Sequence, residues 1–169
     1  MPSDDAVSLF AYNRWANARM LAAVRPLPEA DYVREVGGGW PSVRATLVHL
    51  AGATQAWVER LSGRDATRLP APAEFPQLRD AEALLLKAEY SLDALLPSFT
   101  PERLVTPFRW RNLQNTERTA PLWTVVRHVV NHSTYHRGQI SSMVRSLGGT
   151  PLPTDLLLWG IEVLKDPEK

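Results

Sequence analysis

The sequence predicts an all-α protein, a four-helix bundle with a short extra C-terminal helix. Three observations carry that reading. Four runs of about 18 to 26 residues place apolar side chains at helical spacing. The connections between them are rich in proline and glycine, which break helices. No run reads as a convincing strand. At 169 residues the chain fits one domain, residues 1–169, long enough to bury a proper core.

The first helix is expected from about Asp4 to Val24, where Phe10, Trp15, Leu21 and Ala22 form an apolar stripe beside Leu9 and Ala11. Pro26 and Pro28 stop it, and a short turn begins at Ala30 to Tyr32. Gly37-Gly38-Gly39 is a flexible break. Trp40-Pro41-Ser42 then opens the second helix, with Ser42 as its N-cap and Gly63 closing it after Leu61. Val43, Leu47, Leu50, Ala51, Trp57 and Leu61 make its apolar side. Pro70, Pro72 and Pro76 mark Arg64 to Leu78 as a surface loop. The third helix is expected from Leu78 to Leu96 and ends at Pro97. Thr100 to Ala120 lacks helical periodicity, and Phe108 to Arg111 followed by Asn112 to Asn115 reads as a short extended pair or an irregular excursion. The fourth helix starts near Pro121, with Thr119 or Ala120 at the cap, and runs through Leu122 to Leu147 before Gly148-Gly149. A final helix spans Thr154 to Leu164.

Composition narrows the function. Nineteen basic residues against 18 acidic give a net charge of +1, with no electrostatic footprint for nucleic acid. There is no cysteine, so disulfides and thiolate metal sites are ruled out and any metal must be held by nitrogen and oxygen. Met1 to Ala6 carries no signal-peptide pattern and no run approaches a membrane span, so a soluble cytoplasmic protein is expected. The six tryptophans can bury area or line a pocket.

The histidines carry the chemistry. His132 and His136, one turn apart on the fourth helix, can aim two imidazoles at one point. His49, on the second helix, can supply a third ligand. His128 is also one turn from His132, so 128/132 is a competing pair, and spacing does not separate the two. Ser133, Thr134 and Tyr135 lie between the pair, so the glutamate base of a zinc peptidase is missing. Three histidines leave coordination positions open for water or substrate, the mark of a catalytic site. Imidazole suits zinc, nickel, iron and copper alike. Asn131, Tyr135 and Gln139 are candidates to hydrogen-bond a ligand, with Asn131 and Tyr135 individually read as solvent-facing. Arg137 is read as a surface cap or ion-pair residue, with anion binding as the alternative. Gly138 suggests close approach of another helix, within the bundle or across a dimer.

Three strings resemble the DinB/YfiT-like family of metalloenzymes. They are Thr46-Leu47-Val48-His49-Leu50, the run from His128 through His136-Arg137-Gly138-Gln139 to Ile140, and Phe10-Ala11-Tyr12-Asn13-Arg14-Trp15-Ala16-Asn17. The likeness extends from about Leu9 to Leu147. It implies an up-down-down-up four-helix bundle, often dimeric. It also implies a divalent transition metal, zinc or nickel foremost, on His49, His132 and His136, with His128 outside the ligand set. Characterised members include S-transferases and isomerases that use low-molecular-weight thiols such as bacillithiol, mycothiol or glutathione. The expectation is therefore a metal-dependent thiol S-transferase, a homodimer that binds a small-molecule substrate and a thiol. Neither nucleic acid nor membrane is an expected partner. The alternatives are a metal-dependent hydrolase of a small molecule and a non-enzymatic metal-binding dimeric bundle.

Overall fold

The computed structural model describes residues 3–37 and 39–164. Gly38 of the expected glycine break, and both chain ends of the expected 1–169 domain, lie outside them. The elements are α1 (Ser3–Val24), α2 (Glu29–Val33), α3 (Val43–Leu61), α4 (Leu78–Leu95), α5 (Pro101–Leu104), β1 (Pro107–Arg111), β2 (Glu117–Pro121), α6 (Leu122–Ser146) and α7 (Leu156–Trp159).

Local chemistry sets the boundaries. Ser42 takes an extended conformation and its hydroxyl accepts from the Ala45 amide at 3.2 Å, capping α3 as its residue type predicts. Gly63 follows α3 with φ 77°, a backbone position that glycine takes without strain. Pro97 halts α4, whose end tightens into a 3-10 turn over Leu96–Ser98, so α4 stops at Leu95. Thr119 and Ala120 do not cap α6. They lie in β2, and Pro121 occupies the cap position. Thr100 caps the unexpected single turn of α5. The last helix begins at Leu156 and passes into a π-helical turn over Gly160–Leu164.

Of the two readings for the segment before α6, the extended pair is correct. β1 and β2 form an antiparallel hairpin with Pro107 opposite Pro121 and Arg111 opposite Glu117. Asn112 builds its turn, because its side-chain oxygen accepts from the amides of Gln114 (3.1 Å) and Thr116 (2.9 Å).

Four long helices form the bundle, and side-chain pairs give their directions. Arg14 pairs with Asp93, Asn17 with Glu89 and Arg25 with Glu82, so α1 and α4 are antiparallel. Trp57 packs beside His128 while Thr46 reaches Met143, so α3 and α6 are antiparallel. Tyr12 and Asn13 meet Arg137 while Leu27 meets Gly149 beyond the end of α6, so α1 and α6 are parallel. The bundle therefore runs up-down-down-up. Parallel α3 and α4 require a connection that climbs back along the bundle. Pro70 of that connection lies against Gly52, where an added Cβ would meet its Cδ at 2.3 Å. Gly52 is where the backbone needs a missing side chain.

Two hydrophobic clusters fill the interior. Phe10, Trp57, Leu92, Phe99, Leu122 and Val126 belong to one. Met20, Leu47, Leu50, Leu85, Ile140 and Val144 belong to the other. Polar groups occupy the level where they meet, with Asn13, Asn17, Glu89, Ser133, His136 and Arg137 all buried. Ala22, expected in the apolar stripe of α1, is exposed. No helix among the described residues is long and apolar enough to cross a membrane.

Candidate metal centre

His49 projects from the middle of α3, and His132 and His136 from the facing side of α6. Antiparallel packing of these helices brings the rings together, with centroids 5.3 Å apart for His49 and His132 and 4.7 Å for His49 and His136. One nitrogen from each of the three lies within 4.8 Å of the others. His132 Nε2 and His136 Nε2 are 3.1 Å apart. Two ligands on one ion at the usual zinc–nitrogen length stand about 3.0–3.4 Å apart. The donor set therefore fits a single small cation.

The surroundings hold the rings ready for one. Gln139 Oε1 accepts from His136 Nδ1 at 2.7 Å, which leaves the His136 Nε2 lone pair facing the cluster. Trp40 stacks on His49 with centroids 4.3 Å apart. Burial, and after it the neighbouring rings, lowers the pKa of both His49 and His132 to about 4. Burial also lowers that of His136, against the Gln139 hydrogen bond. At neutral pH all three are uncharged, the form that binds a metal.

The other sequence candidates separate cleanly. His128 keeps its ring 5.7 Å from that of His132 and 5.3 Å from Trp57, outside the three-nitrogen cluster. Its pKa is lowered by burial and by Arg60. Asn131 is exposed, and Tyr135 is 64 % exposed with its ring edge-on to His136. Gln139 contacts His136, as its position allows. Two readings need correction. Arg137 is not a surface residue; it is 1 % exposed. Its Nη1 donates to Asn13 Oδ1 (2.7 Å) and Asn17 Oδ1 (2.9 Å), and its Nη2 to Tyr12 Oη (3.2 Å) and Thr134 Oγ1 (2.7 Å). Gly138 has no close neighbour within the bundle, since an added Cβ would meet nothing within 4 Å among the described residues, so only the dimer side of that reading stands open. Sequence reasoning missed Asn13 and Asn17 as buried acceptors. Their spacing of one turn, on the apolar side of the first helix, was the available signal.

A cavity of about 640 Å³ lies between α1, α6 and α7, lined by Leu9, Tyr12, Val130, Thr134 and Trp159 among others. None of the three histidines lines it, so volume alone does not locate the chemistry. A smaller cleft of about 150 Å³ between Gly39, Gln139 and Met143 lies next to the ligand support.

Fold and cluster together define a helical bundle with a three-histidine centre able to hold a metal ion. The chain belongs to the DinB family, whose sequence pattern matches residues 1–162. Protein DinB of Bacillus subtilis (strain 168) is 30% identical over 164 residues, which take in 93% of this chain and 94% of that protein.

Proposed function

We propose that the protein is a metal-dependent S-transferase that joins a low-molecular-weight thiol to a small electrophile. The carrying observation is the donor set, which among the described residues has three neutral imidazoles and no carboxylate. Zinc and nickel are among the ions such ligands suit. Neutral ligands leave the charge of a divalent ion uncompensated, which favours an anionic fourth ligand such as a thiolate. A bound ion would supply Lewis acidity that lowers the pKa of the cosubstrate thiol.

The chain's own residues do the rest. His49, His132 and His136 would hold the ion, and Gln139 fixes the tautomer of His136. His128, exposed beside His132 with ring centroids 5.7 Å apart, is our candidate to accept the thiol proton. The sulfur then forms a bond to the electrophilic carbon, whose bond to its leaving group breaks, and the proton passes from His128 to water. The absence of cysteine requires the thiol to come from solution. A reducing cytoplasm, rich in such thiols, is the compartment that suits this reading. Leu157 and Ile161, 77 % and 67 % exposed on the C-terminal turns, support a homodimer that covers them.

The test is turnover of a halogenated aromatic electrophile by zinc- or nickel-loaded protein with and without glutathione. Halide release that requires the thiol supports the transferase. Release at the same rate without thiol overturns it in favour of a metal-dependent hydrolase.

A further inference from the structure

We propose that Arg137 is a positioning residue for the metal centre, acting through the buried hydrogen bonds it makes to Asn13 and Asn17; this rests on reading the three histidines as ligands. Four of the five guanidinium donors are satisfied, all by neutral oxygens of Asn13, Asn17, Tyr12 and Thr134, and Nε has no partner. A leucine would fill this layer without the desolvation of a buried cation. The guanidinium supplies direction instead, because a planar fork of fixed geometry accepts few arrangements.

That direction matters because of where Arg137 sits. It follows His136 on α6, about 100° further round the helix, so fixing one side chain fixes the bearing of the other. His49 comes from a different helix. Convergence of the three nitrogens therefore depends on the roll of α6. A ring nitrogen about 5–6 Å from the helix axis moves about 1 Å for a 10° roll. Metal–ligand distances tolerate about 0.2 Å. α1 gives no ligand, yet its Asn13 and Asn17 clamp α6 at the level of the site. Asn17 Nδ2 also donates to Glu89 Oε1 at 2.7 Å, which ties α4 to the same layer. Asn13 and Asn17 of one signature string and Arg137 of the other thus meet to set the angle at which His132 and His136 face His49.

The experiment is a cobalt(II) titration of the full chain, following the visible absorption bands and the affinity against a chromophoric chelator. It is run well below each variant's melting temperature. Arg137→Met should lose about tenfold or more in cobalt affinity and shift the bands, as disrupted ligand support does. Asn13→Ala should lose affinity in the same direction by less, and Asn13→Asp, which keeps an acceptor, should restore it. Leu85→Ala, a core truncation in the second cluster, should lower the melting temperature but leave bands and affinity unchanged. If Arg137→Met does not fold, Asn13→Ala and Asn13→Asp carry the test. Parental bands and affinity in the Arg137 and Asn13 variants would overturn the positioning role while leaving the metal centre intact. So would a loss in Leu85→Ala that matches theirs. A parent that takes up no cobalt would overturn the three-histidine reading and this proposal with it.

Discussion

The half-buried His49 and His132 and the buried Glu89 pull stability in opposite directions with pH. His49 and His132 have pKa values lowered from 6.5 to about 4, so the unfolded chain binds more protons than the folded one between those values. Their contribution is fully present above pH 6.5 and lost as pH falls toward 4. Metal-free protein should therefore lose melting temperature relative to His49→Leu/His132→Leu as pH drops through that window, followed by circular dichroism. Glu89 behaves oppositely. Burial raises its pKa from 4.5 to about 7, against the Asn17 hydrogen bond and the Arg14 and Arg137 charges. Its contribution is full below pH 4.5 and lost as pH rises toward 7. Glu89→Gln should melt higher than the parent at pH 8 and lose that advantage at pH 4.5. Equal melting temperatures at pH 8 would mean that Glu89 ionises without cost. At this scale the sequence displays the candidate ligands and hides their support. His132 and His136 are four residues apart, so one helix presents both. Arg137 is buried by acceptors 120 and 124 positions away, and no local window contains them.

Two glycines on the long helices make contrasting predictions. At Gly52 a methyl would strike Pro70 Cδ at 2.3 Å and Cγ at 2.6 Å, so the α3–α4 connection must move. Gly52→Ala should destabilise by about 1–3 kcal/mol in urea unfolding, because overpacking outweighs the gain in helix propensity. At Gly138 the methyl meets nothing, so Gly138→Ala should stabilise by up to about 1 kcal/mol. A destabilised Gly138→Ala would point to a partner surface that the single chain does not contain. The long helices were legible because their apolar periodicity and their breakers are local. Ser42, Gly63 and Pro97 each act within one turn of where they stand. The β1–β2 hairpin was legible only as one of two options, since Phe108 and Trp110 face inward on a strand too short to show a period. Thr119 and Ala120 have cap-compatible positions before Pro121, but pairing with Arg109 and Phe108 draws them into β2 instead.

Across the whole molecule, the up-down-down-up order explains why one seam gathers the three histidines. Antiparallel α3 and α6 bring His49 opposite His132 and His136, while parallel α1 and α6 bring Asn13 and Asn17 to Arg137. Neither pairing is written in a local pattern, and here the topology came from family resemblance. Two hydrophobic clusters surround the centre, so removing the metal should leave the helical spectrum intact. The melting temperature should fall, because binding to the folded state alone stabilises it by mass action. The most direct test of the central claim is elemental analysis of tag-free protein beside His132→Ala/His136→Ala. About one zinc- or nickel-type ion per chain in the parent, lost in the folded double variant, is the predicted result. A parent that holds no metal even after incubation with zinc, nickel or manganese would contradict the three-histidine centre.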